Sequence, residues 1–110
     1  MACDKKIREK VVWEEEMKEE QKLILENVIK KYGVLNQLTV SIEELSELTK
    51  ELCKYQRADI AKNHELIAEE MADVQIMIWQ LKMIFDNSKS FDKWVNKKIN
   101  RIERRMNSGN

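Results

Sequence analysis

The chain contains no proline, and Gly33 and Gly109 are its only glycines, so almost nothing in it interrupts a helix. Leucine, isoleucine, glutamate and lysine recur throughout, and apolar residues return every three or four positions, as on a helix that packs along one side. A chain of 110 residues is long enough for one small domain. The sequence therefore predicts an all-α fold, an antiparallel four-helix bundle whose core is completed by dimerisation.

The expected helices lie at residues 4–32, 34–57, 64–86 and 91–106. Gly33 suits a left-handed cap at the end of the first helix, and Asn63 can cap the start of the third. Charge dominates the start of the chain, so we expect a charged N-terminal helical extension, a helical domain and a frayed tail, at 1–22, 23–106 and 107–110.

Apolar seams are expected on the last three helices. The second helix carries one seam at alternating three- and four-residue steps, formed by Leu35, Leu38, Ile42, Leu45, Thr49 and Leu52. The inner face of the fourth helix is formed by Phe91, Val95, Ile99, Ile102 and Met106. The third helix is apolar nearly all round, which is typical of a helix at the centre of its protein.

Composition argues against several classes of protein. Twenty basic and twenty acidic side chains cancel, whereas a nucleic-acid-binding domain usually has a basic excess. Cys3 and Cys53 have no motif spacing, so we expect no disulfide framework and a cytoplasmic localisation; Cys53 is interpreted as an inert core thiol. The first residues lack the apolar core of a signal peptide, and no stretch is apolar for long enough to span a bilayer. Neither a nucleic acid nor a membrane is therefore an expected partner.

Two pairs of carboxylates stand out on the second and third expected helices. Glu44 and Glu47 are three residues apart, as are Glu70 and Asp73, and residues three apart lie on one face of a helix. If the two helices pack together, four acidic side chains meet and repel one another unless cations or protons neutralise them. Oxygen ligands of this kind suit Mg²⁺, with Mn²⁺ as an alternative.

Other interpretations compete at single positions. Ser41-x-x-Glu44 matches a capping box that would begin the helix at Ser41, but the apolar period runs back to Leu35. Glu51 extends the acidic stripe by one turn and is interpreted as a solvated glutamate. A ferritin-like di-iron site needs Glu-x-x-His pairs, and His64, the only histidine, is interpreted as a helix-start residue instead.

The acidic pattern, Glu43-Glu44-x-x-Glu47 followed by Glu70-x-x-Asp73, resembles the signature of the MazG-like, all-α nucleoside triphosphate pyrophosphohydrolases. The similarity spans residues 24–106. It includes the runs Gln37-Leu-Thr-Val-Ser-Ile-Glu-Glu-Leu-Ser-Glu-Leu48, Lys54-Tyr-Gln-Arg57, Glu69-Glu-Met-Ala-Asp-Val-Gln-Ile-Met77 and Lys98-x-x-Arg101-Ile-Glu-Arg104.

The resemblance implies a homodimer or homotetramer that hydrolyses a ribo- or deoxyribonucleoside triphosphate to the monophosphate and pyrophosphate, using Mg²⁺. The implied metal ligands are Glu44, Glu47, Glu70 and Asp73, with Glu43 a weaker candidate. Either Glu44 or Glu47 would be the catalytic group that orients or deprotonates the attacking water.

Basic and amide side chains are the candidates for binding the nucleotide. Those for the phosphates are Lys97, Lys98, Arg101 and Arg104, followed by Lys54 and Arg57. Gln37 could face the base, and Trp79 or Trp94 could stack on it, although core packing is favoured for both tryptophans. The alternative function is a non-enzymatic helical interaction module, with the charged first helix as its docking arm.

Overall fold

The computed structural model describes residues 17–57 and 64–109. Those residues form four helices and no strand: α1 (Glu19–Tyr32), α2 (Val34–Arg57), α3 (His64–Phe85) and α4 (Ser88–Asn107). The all-α prediction is confirmed, as are the bounds of α2 and the place of His64 at a helix start. The last helix begins three residues earlier than predicted. The predicted helix at 4–16 and the cap at Asn63 lie outside the described residues.

A single residue, Gly33, separates α1 from α2. Its φ of 91° is a conformation that glycine adopts without steric cost, but its ψ of 153° is extended, so the predicted left-handed cap is wrong. The Gly33 amide still closes α1, because it donates a hydrogen bond to the Ile29 carbonyl at 2.8 Å. The Ser41 hydroxyl donates back to the Gln37 carbonyl at 2.9 Å, within a helix that has already begun at Val34. The capping box at Ser41 is therefore excluded.

Helices α2 and α3 pack against each other along their length. Near the start of α2, the Gln37 amide donates to the side-chain oxygen of Gln80, near the end of α3, at 2.7 Å. At the other end, the rings of Tyr55 and His64 lie 5.5 Å apart between centroids. The two helices therefore run antiparallel. Helix α3 contacts each of the other three helices, which confirms the central position predicted from its apolar composition.

The interior of the single chain is polar. Met77 is the one large apolar residue buried among the described residues, and it is accompanied by Gln37, Ser41, Glu51, Gln80 and Lys82. In contrast, Leu35 and Ile42 of the predicted α2 seam are 79% and 65% exposed. Cys53 is exposed as well, so its interpretation as a core thiol is wrong. Burying a leucine or isoleucine side chain contributes about 1.5–3 kcal/mol, which the single chain does not gain at these positions.

Helix α4 leaves the other helices after its first two turns. Phe91 and Val95 are partly covered, and every described residue beyond Val95 is exposed. The start of α4 is fixed by Lys82, whose ammonium lies 3.9 Å from the centroid of the Phe91 ring. The radius of gyration is 17.0 Å, against roughly 13 Å for a compact domain of this size. The four described helices of one chain therefore do not close a compact bundle.

Candidate metal centre

Acidic side chains from α2 and α3 meet midway along the contact between these helices. Glu44, Glu70 and Asp73 each offer a carboxylate oxygen, and the three oxygens lie within 4.8 Å of one another. All three residues are half-buried. Glu47 is exposed at the edge of this acidic cluster, and its charge acts on both Glu44 and Glu70. The antiparallel packing of two helices thus brings together three of the four carboxylates that the three-residue spacings singled out, and it leaves Glu47 outside the group of clustered oxygens.

Glu44 is one of two carboxyl groups in the acidic cluster whose pKa is raised. Burial raises the pKa of this carboxyl above the ordinary glutamate value of 4.5, and the negative charge of Asp73 raises it further. The two side chains also share a hydrogen bond, which requires a proton on one of the carboxyl groups and raises the same pKa. The charges of Glu70 and Glu47 act in the same direction.

The pKa of Glu70 is raised as well, and one of its carboxylate oxygens has no hydrogen-bond partner among the described residues. Burial is the largest cause of the raised pKa of Glu70. The negative charges of Asp73, Glu47, Glu69 and Glu51 raise it further, in that order of size. The Oε2 atom of Glu70 is out of contact with solvent and has no hydrogen-bond partner within the described part of the chain. Buried polar atoms in proteins are nearly always hydrogen-bonded or bound to an ion. The groups that shift the pKa values of Glu44 and Glu70 are all acidic, so the cluster has the electrostatics of a cation site.

The chemistry of the donor atoms fits a hard divalent cation. The clustered ligand atoms are all carboxylate oxygens, which Mg²⁺ and Mn²⁺ prefer, whereas zinc sites usually contain histidine or cysteine. Two oxygens on opposite sides of one Mg²⁺ are separated by roughly 4 Å, so oxygens that already lie within 4.8 Å need little movement to share an ion. Glu44, Glu70 and Asp73 are therefore suited to hold Mg²⁺.

A buried amide pair continues the polar contact beyond the carboxylates. Gln37 and Gln80 are 4% and 3% exposed, and Gln37 also accepts a hydrogen bond from the Asn36 side chain at 3.2 Å. Gln37 lies two helical turns before Glu44, roughly 10 Å along α2. Gln80 was not among the predicted site residues. Its signal in the sequence was a polar side chain seven positions after Asp73, on the same face of the most apolar helix.

The exposure of Glu51 differs from the one that the sequence predicts. Glu51 is 7% exposed, so its interpretation as a solvated glutamate is wrong, and Lys54 pairs with it at 3.3 Å. Lys54, a predicted phosphate-binding residue, thus has its ammonium beside the Glu51 carboxylate. Arg57 is exposed at the last position of α2.

The predicted phosphate-binding residues of α4 are exposed to solvent. All four are exposed on the portion of α4 beyond Val95, and none of them forms an ion pair within residues 17–57 and 64–109: Lys97, Lys98, Arg101 and Arg104. The ammonium groups of Lys97 and Lys98 lie 5.3 and 6.0 Å from the centroid of the Trp94 ring. The structure therefore places these four cations on the exposed part of α4.

The two candidate base-stacking tryptophans have different surroundings. Trp94 is exposed, so core packing does not describe it in the single chain. Trp79 is half-buried, and its indole nitrogen is out of contact with solvent and without a hydrogen-bond partner in the described regions.

Comparison with protein-family models, curated proteins and solved structures finds no match to this chain. Among the described helices, none combines the length and the apolar composition needed to cross a membrane.

The raised pKa values predict how the metal-free protein responds to pH. Above about pH 4.5 the unfolded chain releases protons that folded Glu44 and Glu70 retain, so this contribution lowers the free energy of unfolding as pH rises, until it levels off above the raised pKa values. Urea denaturation in EDTA from about pH 4 to about pH 8 would measure it. Glu44→Gln should gain stability relative to wild type as pH rises, whereas Glu43→Gln, at an exposed neighbour, should not. A constant difference between wild type and Glu44→Gln would contradict the expectation.

Proposed function

We propose that this chain is a MazG-like nucleoside triphosphate pyrophosphohydrolase that requires Mg²⁺ and acts as a homo-oligomer. The main support is the meeting of oxygens from Glu44, Glu70 and Asp73 within 4.8 Å, on two helices that pack against each other. The unpaired Oε2 of Glu70 adds to it, because a ligand atom would lack a partner in this way before an ion binds. The class of reaction is inferred from the acidic pattern of the sequence, which resembles the signature of the MazG-like pyrophosphohydrolases.

The proposed reaction is a displacement at the α-phosphorus. An oxygen of water forms a bond to this phosphorus, the bond to the oxygen bridging the α- and β-phosphorus atoms breaks, and the monophosphate and pyrophosphate leave. Bound Mg²⁺ would neutralise charge on the phosphate oxygens. Glu44, Glu70 and Asp73 would hold the ion. Glu47 is exposed beside them and is better placed than Glu44, which is hydrogen-bonded to Asp73, to accept the proton of the attacking water.

A second copy of the chain is part of the proposal. The exposed apolar residues of α2 and α4 include Leu35, Ile42, Leu45, Leu52, Ile99, Ile102 and Met106. An apolar surface of this extent usually marks a protein–protein interface. Two copies that covered these residues would complete the antiparallel helical bundle which one chain leaves open.

The test is release of pyrophosphate from a panel of ribo- and deoxyribonucleoside triphosphates, in Mg²⁺ and in EDTA. We expect release in Mg²⁺ from at least one nucleotide and none in EDTA, together with a higher melting temperature in Mg²⁺. If no nucleotide releases pyrophosphate, and neither Mg²⁺ nor nucleotide changes the melting temperature, the proposed enzymatic activity is rejected. The exposed apolar surfaces would then favour a non-enzymatic helical interaction module.

A further inference from the structure

We infer that residues 1–16 dock on α3 of their own chain, so that their basic side chains meet Glu65 and Glu69. The surface that they cover, the outer face of α3, comprises six residues at alternating four- and three-residue steps: Glu65, Glu69, Ala72, Ile76, Trp79 and Met83. Its middle lies roughly 110° around the helix from the pair Glu70 and Asp73, so this surface is separate from the acidic cluster. The contact does not depend on the proposed function.

Helix α1 runs parallel to α3 and covers the second half of the outer face. Ile24 of α1 lines a groove of about 220 Å³ together with Ile76. Further along both helices, Glu26 lines a groove of about 420 Å³ together with Met83. Helix α1 has 14 residues and α3 has 22, so α1 is too short to cover the whole outer face.

The first half of the outer face is exposed, and the described chain begins beside its border. The exposed residues are Glu65, Glu69 and Ala72. Met17, two residues before α1, lines both grooves together with Trp79. Residues 1–16 are therefore tethered next to the uncovered half, which favours docking on their own chain over docking on a second copy.

The length of the N-terminal segment suits the uncovered surface. From Trp79 back to Glu65 the outer face extends over 14 positions, or roughly 21 Å along the helix. Sixteen residues span about 24 Å as a helix and up to about 53 Å as an extended chain. Residues 1–16 can therefore reach Glu65 from Met17 in either conformation.

The groove between α1 and α3 still has apolar surface to cover. Ile24 and Ile76, which line it together, are 59% and 38% exposed. Apolar side chains lie close to Met17 in the N-terminal segment, among them Val11, Val12 and Trp13. Docking removes apolar surface on both sides from water, which stabilises the docked segment.

Trp79 provides an unpaired donor where the segment is tethered. Its indole nitrogen is out of contact with solvent and has no hydrogen-bond partner within the described residues. A buried indole N–H usually donates to an acceptor. Glu14, Glu15 and Glu16 stand directly before Met17 and carry carboxylate oxygens that can accept such a bond. The side chains that reach this groove first are thus of the type that Trp79 lacks.

Charge is complementary along the whole segment. Between Glu65 and Leu81, α3 contains four acidic residues and no lysine or arginine, whereas residues 5–10 contain four basic residues and one acidic residue. The acidic run at 14–16 lies instead next to Met17, in whose groove Lys22 and Lys82 are found. Docking from Trp79 towards Glu65 therefore places opposite charges together at both ends of the segment.

Zero-length cross-linking of the full chain tests the docking without relying on catalysis. Natural-abundance and ¹⁵N-labelled chains are mixed equally, refolded together and treated with a carbodiimide, which joins a lysine amine to a carboxylate in contact with it. We expect links from the N-terminal segment to Glu65 or Glu69, through Lys5, Lys6 or Lys10. Each link should join two light or two heavy peptides, because both peptides come from one chain.

Two variants provide the matched controls. The double variant Glu65→Gln and Glu69→Gln keeps the size of both side chains but should lose these links. Glu43→Gln, which removes an exposed carboxylate of α2, should retain them.

Three outcomes would overturn the inference. The first is the absence of links from the N-terminal lysines to Glu65 and Glu69. The second is equal linking of these lysines to Glu43, which would show contact without a preferred surface. The third is that about half of the links join a light peptide to a heavy one, as random pairing of two chains requires, because the segment would then dock on a second copy.

Discussion

Asp73→Asn should abolish metal-dependent turnover and leave the metal-free protein at least as stable as wild type. Asp73 supplies one of the three clustered oxygens, and it is the charge that most raises the pKa of both Glu44 and Glu70. The amide is nearly the same shape but neutral, so it weakens the cation site and removes repulsion from the folded state. We expect kcat/KM to fall at least about a hundredfold, or about 2.7 kcal/mol of transition-state stabilisation.

Pyrophosphate release and thermal unfolding with and without Mg²⁺ would measure both effects. In Asp73→Asn, Mg²⁺ should no longer raise the melting temperature, because the ion no longer binds the folded state preferentially. Glu43→Gln is the matched control: it removes one negative charge from an exposed residue next to Glu44 and should keep turnover and the Mg²⁺ effect. Unfolding of Asp73→Asn would instead identify Asp73 as a structural residue, and undiminished turnover would remove it from the site.

The sequence was sufficient to predict that Glu44, Glu70 and Asp73 meet, but it also grouped with them Glu47, which is exposed at the edge of the acidic cluster. A three-residue spacing fixes two carboxylates on one face of a helix, and a short connection between two helices makes them run antiparallel. Those two rules are enough to bring Glu44 to Asp73 and Glu70, provided that both polar faces point at the contact. The structure satisfies this condition through the Gln37–Gln80 pair, which joins residues 43 positions apart in the chain.

What covers each apolar face could not be predicted, because periodicity identifies a face but not its partner. The α2 seam was recognised from its spacing, yet Leu35 and Ile42 are exposed in the single chain. The opposite error was made for Glu51. The spacing predicted a solvent-exposed side chain, whereas Glu51 is buried and forms an ion pair with Lys54. Burial of a charged residue depends on a specific ion pair, and a hydropathy pattern contains no information on that pairing.

Lys98→Ala should lower turnover, because Lys98 is one of the predicted phosphate-binding residues, and refolding this variant with Asp73→Asn would show which chain's site Lys98 serves. If each site combines the acidic cluster of one chain with Lys98 of the other, a dimer of Asp73→Asn with Lys98→Ala contains one site in which both parts are intact. Equal mixing makes about half of the dimers mixed, each with one intact site of two, so activity should recover to about a quarter of wild type. Pyrophosphate release by the mixture, compared with either variant alone, would measure this recovery.

The matched control is a mixture of Asp73→Asn with Glu44→Gln. Both changes lie in the acidic cluster, whose residues come from one chain, so no pairing of these two chains assembles an intact site. Native mass spectrometry of labelled and unlabelled chains would establish that mixed dimers form in both mixtures. If mixed dimers form and only the Asp73→Asn and Lys98→Ala pair recovers, Lys98 acts on the partner's site. If neither pair recovers, Lys98 acts within its own chain, and α4 must fold back onto the helices from which it diverges beyond Val95.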